Sequence, residues 1–313
     1  MGGQAQGPFD TMHFLKGGLA GGICCGVTHG ALCPVDVVKT RIQLDPAQYN
    51  RGMVSAFGQV VKAEGVGALA TGLGPTVVGY FIQGFFKFGG VELFKVKATE
   101  ALGTRKAWEN RLPIYLGAAA TAEFIADIFL CPLEATRIRL VSDPTYANGL
   151  MSAVPKILKT EGVVRGFYSG FMPILFKQIP YTMAKFAVQG YAAEKIYAAV
   201  GTKPADMGDA GKMGVSLSSG VIAGVAAAII SHPADTLLSM VNKEGAGGTG
   251  SVGIRLKNLF FEAGFKKLFL NGLGPRCVMI GTLTAGQFAI YDSVMTMTGA
   301  SKFNFINPDA EKA

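Results

Sequence analysis

Charge is scarce in this chain. Only 16% of its 313 residues are Asp, Glu, Lys or Arg, against about 25% in an ordinary soluble domain. Tryptophan occurs once and histidine three times. The five cysteines, Cys24, Cys25, Cys33, Cys131 and Cys277, show no metal-ligand spacing and no disulfide framework, so no metal, no cofactor and no disulfide-stapled fold is expected. The opening residues, MGGQAQGPFDTMHF, have neither the charged start of a secretory signal nor an Arg-rich transit sequence. Gln6 stands where a myristoylation motif at Gly2 needs Ser or Thr. Clean runs of twenty aliphatic residues are missing too, because Gly, Pro, Thr and occasional Lys, Glu or His interrupt the apolar stretches. In lipid such interruptions are tolerable only where they face protein or a water-filled cavity.

What is present is apolar. Half the residues are hydrophobic and the mean hydropathy is +0.35, so a bilayer is the natural solvent. The net charge of +8 points to anionic lipid or an anionic solute. A nucleic-acid partner is excluded, because the basic residues are scattered through apolar segments and form no tail or recognition motif.

Internal periodicity organises the chain. PVDVVKTRIQ, PLEATRIRL and PADTLLSMV begin at Pro34, Pro132 and Pro233, 98 and 101 residues apart. A second element, KAEGVGALATGLGP, KTEGVVRGFYSGFMP and FEAGFKKLFLNGLGP, places Gly72, Gly170 and Gly272 at 38, 38 and 39 residues beyond those prolines. Each repeat reads as an apolar segment ending at the proline motif, a polar stretch with a short surface helix, and a second apolar segment. The expected fold is therefore an all-α membrane protein with six transmembrane helices, near 12–42, 73–97, 112–141, 171–199, 211–241 and 273–297. Surface helices are expected near 52–63, 150–160 and 251–262. The repeats span 12–100, 101–200 and 201–300, flanked by tails 1–11 and 301–313. Gly18, Gly22, Gly26 and Gly30, and likewise Ser216, Gly220, Gly224 and Ala228, form small-residue stripes that let helix backbones approach closely. Each motif proline is expected to kink its helix. Polar stretches inside the repeats carry twelve Lys and Arg against about seven between repeats, an asymmetry that directs the former toward the inner side of the membrane.

The pattern Pro-x-(Asp/Glu)-x-x-(Lys/Arg), repeated about every hundred residues with a following Glu-Gly and aromatic-x-Gly, resembles the mitochondrial carrier family over nearly the whole chain. HGALCPVDVVKTRIQLDP, GYFIQGFFKFGG, AEFIADIFLCPLEATRIRL, ILFKQIPYTMAKF, SHPADTLLS and MIGTLTAGQF are similar to its phosphate-carrying branch, in a fungal form. The resemblance implies a pseudo-threefold barrel in the mitochondrial inner membrane with both termini toward the intermembrane space. It also implies alternating access with import of inorganic phosphate together with protons, and a carrier that functions as a monomer. The acids and bases of the three proline motifs would close the matrix side. Asp36 with Lys39 and Glu134 with Arg137 fit that scheme, and Gln43 matches a bracing glutamine. In the third motif Asp235 is present but Leu238 holds the basic position, so Asp235 is expected to lack its usual partner. At the opposite gate only Glu92 and Lys95 survive, against Gly190, Ala193, Asp292 and Met295 at the matching positions. A thin gate that opens easily is the expectation.

The solute site follows from comparing the three even helices at equal depth. Four residues past Gly72, Gly170 and Gly272 stand Thr76, Ile174 and Arg276, seven past stand Gly79, Lys177 and Met279, and eight past stand Tyr80, Gln178 and Ile280. Eleven past stand Gln83, Tyr181 and Leu283, and fifteen past stand Lys87, Lys185 and Gln287. These offsets share one helical face. A charge at a helix centre in lipid costs about 2.5–3.5 kcal/mol, so Lys177 and Lys87 call for an anion. The expected substrate contacts are Lys177, Gln178, Thr76, Gln83, Lys87, Tyr181 and Arg276. On the odd helices His29 and Asp127 stand five residues before their prolines, and Glu123 lies one turn before Asp127. Imidazole titrates near neutrality and paired carboxylates compete for protons, so His29, Glu123, Asp127 and, next in line, Glu134 are the expected proton-coupling groups. Cardiolipin is expected at the helix N-termini near Gly52, Gly72, Gly149, Gly170 and Gly272, where free N–H groups favour phosphate.

Other readings fare worse. An ADP/ATP carrier would show an Arg-Arg-Arg-Met-Met-Met run where this chain reads DTLLSM, and a di- or tricarboxylate carrier would place basic residues at two contact points. A membrane enzyme using Cys25 and His29 lacks oxyanion donors and a third orienting group. A small-anion carrier of another kind and a non-transporting scaffold stay open.

Overall fold

The computed structural model describes residues 9–45, 47–49, 52–143, 145–202, 206–241, 252–305 and 307–308. Among these the regular structure is wholly helical. Six long helices carry the fold: α1 Thr11–Leu44, α3 Leu73–Leu102, α5 Arg111–Ser142, α7 Phe171–Val200, α8 Asp209–Val241 and α10 Leu273–Met297. Shorter ones lie between them: α2 Met53–Glu64, α4 Thr104–Glu109, α6 Leu150–Tyr168 and α9 Val252–Phe269. The long helices contact in a closed ring, α1 to α3, α5, α7, α8, α10 and back to α1. Helices α1, α3, α5 and α8 are long and apolar enough to cross a membrane by length and composition. Helices α7 and α10 have comparable lengths of 30 and 25 residues but carry the polar face counted above.

The boundaries follow from local chemistry. Asp10 caps α1 by accepting from the His13 backbone N–H at 2.8 Å, as an N-cap aspartate does. Gly72 and Gly272 precede α3 and α10 at φ of 78° and 80°, a left-handed conformation that side chains disfavour. Gly162 and Gly264, each with positive φ, bend α6 and α9 inside what would otherwise be single helices. The surface helices of the second and third repeats are thus longer than the sequence pattern suggested. Helix α4 was not anticipated, being too short to show a period. Helices α1, α5 and α8 continue through Pro34, Pro132 and Pro233.

The small-residue stripes sit where helices cross. A Cβ on Gly22 would lie 2.9 Å from the ring of Phe81 on α3, and Gly21 and Gly84 meet backbone to backbone. In the third repeat a Cβ on Gly220 would lie 2.7 Å from the Ala285 Cα. Apolar side chains on the outside, such as Phe124, Phe176, Ile222 and Val278, face the surroundings, which suits a lipid solvent.

Candidate functional site

At mid-depth α3, α5 and α7 bring four polar side chains around one carboxylate. Glu123 is fully buried, accepts from Gln83 Nε2 at 2.8 Å and from Thr182 Oγ1 at 2.8 Å, and pairs with Lys87 Nζ at 2.9 Å. Asp127, one turn on, accepts from the same Gln83 amide at 3.2 Å, while its Oδ2 is buried without a partner. The cluster therefore holds two carboxylates and one ammonium. Breaking such a pair leaves an uncompensated buried charge, which is strongly destabilising.

Lys185 lies close by on α7. It is 1% exposed, donates to Gln287 Oε1, and is ringed by Phe88, Phe288, Phe186 and Tyr181 at 5.0 to 5.9 Å. Gln287 in turn donates to Thr28 Oγ1 at 3.2 Å, so α7, α10 and α1 are tied at this level. Tyr181 and Thr284 hydroxyls meet at 3.4 Å.

Lys177 is different. It is half-buried on α7, and among the described residues it has no ion pair and no hydrogen bond. Its neighbour Gln178 is likewise half-buried. Thr76 spends its hydroxyl on the Gly72 carbonyl at 2.7 Å. His29 stacks on Tyr80 with ring centroids 3.6 Å apart and planes 7° from parallel. Among the described residues no hydrogen bond joins His29 to Glu123 or Asp127.

At the proline-motif end Arg137 reaches across repeats to Asp36 at 3.0 Å and along its own helix to Glu134 at 3.1 Å. Lys39 makes no ion pair among the described residues. Asp235, without the motif base at Leu238, finds its partner on another helix. Arg276, entering from α10 four residues past Gly272, pairs with Asp235 and donates to Ser231 Oγ at 3.0 Å. A guanidinium from the even helix thus replaces the base that Leu238 removed. Arg276 thereby has a partner of its own, in contrast to Lys177. The side chain of Gln43 lies outside the described residues.

At the other end Glu92 and Lys95 pair at 2.7 Å, both nearly buried. The thin gate expected there is thicker than the helices alone provide. The segment after α10 folds back so that Phe303 N–H donates to Glu92 at 2.6 Å and Phe303 C=O accepts from Lys95 at 3.1 Å. Sequence comparison of helices missed this because it compared side chains, and the contacts are made by backbone.

Gly72 and Gly149 line one cleft of about 370 Å³, together with Thr71, Pro75, Leu140 and Leu150. Gly52 and Gly149 precede α2 and α6 with positive φ, whereas Gly170 precedes α7 at φ −91°. The site residues not anticipated are Thr182, Lys185, Thr284 and Gln287. Lys185 and Gln287 already stood fifteen residues past their glycines, so depth alignment was the available signal.

A family model described as mitochondrial carrier protein matches residues 10–101, 109–198 and 209–302. The chain belongs to the mitochondrial carrier family. Among carriers similar to it, Mitochondrial substrate carrier family protein N of Dictyostelium discoideum is 51% identical, over 91% of this chain and 95% of that protein. Solute carrier family 25 member 3 of Homo sapiens is 45% identical, over 90% of this chain and 75% of that protein. The Probable mitochondrial phosphate carrier protein of Schizosaccharomyces pombe is 45% identical, over 90% of this chain and 89% of that carrier.

Proposed function

We propose that this carrier imports inorganic phosphate into the mitochondrial matrix by alternating access, with its proline-motif end toward the matrix and both termini toward the intermembrane space. The observation that carries the reading is Lys177, a half-buried ammonium at the depth of Gln178 and Tyr181 that makes no ion pair and no hydrogen bond among the described residues, with Asp235 and Asp36 close enough only to act on it through space. A small oxyanion needs few donors and one cation. Similar proteins from Schizosaccharomyces pombe, Caenorhabditis elegans and Arabidopsis thaliana are named phosphate carriers, which supports phosphate over another small anion. Lys87 and Arg276 engage carboxylates and would meet the anion only when those pairs exchange.

Proton coupling is the finer part of the proposal. The Glu123, Asp127 and Lys87 cluster can take up one proton without losing the Lys87 pair, because Asp127 Oδ2 is unpartnered. His29, above it against Tyr80, would exchange that proton with the cavity, with Glu134 the next acceptor toward the matrix. Cardiolipin would occupy the cleft between Gly72 and Gly149, with its phosphates at the N-termini of α3 and α6. A single chain contains every group invoked, so a monomer suffices.

Proteoliposomes containing the full chain provide the test. Lys177→Ala should abolish uptake of labelled phosphate while the protein still inserts, and Lys177→Arg should restore part of it, since a guanidinium is larger and prefers planar partners. Near wild-type uptake by Lys177→Ala would refute the reading. His29→Gln should keep phosphate binding but lose acceleration by an inward proton gradient; full gradient-driven uptake would place the proton route elsewhere.

A further inference from the structure

The outer end of the bundle has too few charges of its own to close. Of the six positions that would form an acid and base ring there, Gly190, Ala193 and Met295 contribute none. The remaining groups are Glu92, Lys95 and Asp292, two acids and one base. Each of the three is engaged by residues 301–305. Lys302 Nζ pairs with Asp292 at 3.0 Å, and the Phe303 peptide serves both Glu92 and Lys95. Lys302 is thus the second base that the helices lack.

The same segment is seated by apolar contacts. Phe303 and Phe305 are 6% and 8% exposed and pack with Phe9, Val96, Ala107 and Tyr115. Phe303 lies edge-on to Phe9 at 5.4 Å, and Phe305 to Tyr115 at 5.2 Å. Below it, Phe88, Phe186, Phe288 and Tyr291 form an aromatic floor. The space between floor and segment amounts to about 20 Å³, room for about one water.

We propose that residues 301–305 are the outer gate of this carrier, a strap that must leave the mouth each time the site opens outward. Burial of two phenylalanines favours the closed mouth, and the charge-assisted hydrogen bonds to Glu92 and Lys95 give it a unique seat. The inward-facing state is then stabilised by a segment that runs past the end of the third repeat, whose family match stops at residue 302. The inference rests on the alternating-access reading but not on which anion is carried.

Cysteine labelling tests it in proteoliposomes, with a membrane-impermeant maleimide applied from outside. Ala193→Cys places the reporter beside the small space under the strap, and the parent chain, labelled in parallel, supplies the background from the native cysteines. Deleting 301–313 should speed labelling of the reporter about tenfold, the change expected when a minor open state gains population. A full-length Lys302→Ala, Phe303→Pro variant, which removes the ammonium and the N–H donated to Glu92, should do the same, while Lys302→Arg should label at the reporter's own rate. Unchanged labelling in the full-length double variant would overturn the proposal, as would fast labelling of Lys302→Arg. Loss of phosphate uptake by an otherwise normally labelled carrier would count against the substrate and leave the strap standing.

Discussion

The first two repeats and the third solve the same packing problem with different chemistry. In the first two, charge crosses helix boundaries. Arg41 and Arg139, seven residues past their prolines, tie the odd helices to the surface helices through Glu64 and Glu161 at 2.9 and 2.5 Å. Glu123 and Lys87 join α5 to α3, and Asp36 meets Arg137. In the third repeat the corresponding arginine position is Met240, the motif base is Leu238, and Ala228 stands at the depth of Asp127. There α8 lies against α10 through Gly220, Gly224 and Ala228. The third repeat thus keeps a close glycine seam of the kind that α1 and α3 also form, with fewer charges crossing to its surface helix.

The contrast can be broken at four points, each read as thermal unfolding in lipid-containing detergent. Glu123→Ala should cost the most, about 3–5 kcal/mol, because Lys87 stays buried without its counter-charge. A Glu123→Leu, Lys87→Met double variant should recover most of that loss, since apolar replacement of a buried pair is often neutral. If the double variant is as unstable as the single one, the pair is not the source. Arg276→Ala should cost about 2–3 kcal/mol by stranding Asp235, and adding Leu238→Lys should restore part by returning the motif base. No rescue would mean that the third motif cannot use a base on α8.

The third repeat's wall responds to volume instead. Gly224→Ala should cost about 1–2 kcal/mol through overpacking, since its Cβ would lie 2.6 Å from the Ile280 carbonyl oxygen. Gly26→Ala makes the control, with its Cβ 3.4 Å from the Val77 oxygen, and should be close to neutral. Equal effects at both glycines would erase the distinction between the walls. The smallest change is expected at the surface ties: Arg139→Ala should cost below about 1 kcal/mol and less at high salt. Met240→Arg, which offers Glu262 the missing partner, should gain no more than Arg139→Ala loses.

Much of this architecture was legible from the chain alone. Two motifs in threefold register located six long helices to within a few residues, because the glycine marks the start of each even helix and the proline motif stands at a similar distance before the end of each odd one. Equal-depth comparison found Gln83, Lys87, Lys177 and Tyr181 on one face. It could not show that Lys87 and Lys177 differ, one in contact with Glu123 and the other making no ion pair among the described residues, since pairing depends on rotation and approach of neighbouring helices. Arg276 illustrates the same limit: its partner Asp235 is 41 residues away and on another helix. Residues 301–305 left no signal because five residues hold no period and their decisive contacts are peptide groups.

Gly21 and Gly84 meet backbone to backbone between α1 and α3, as Gly220 and Ala285 do between α8 and α10. Beside the first seam stand the Cβ atoms of Phe88 and Cys25, which no rotamer change can move, and the second seam meets the backbone of Thr284 and Ala285. Each helix pair must therefore turn as one stiff blade. The second pair is fastened otherwise: α7 meets α5 through the Thr182 hydroxyl on Glu123, and Tyr115 blocks the close approach that Gly190 would allow. That fastening is a buried polar contact, which opens only where another donor or water replaces the hydroxyl, whereas a glycine seam cannot slide without opening a void. The joint that a polar exchange can open then lies in the repeat that holds Lys177, on the helix proposed to present a cation to the solute.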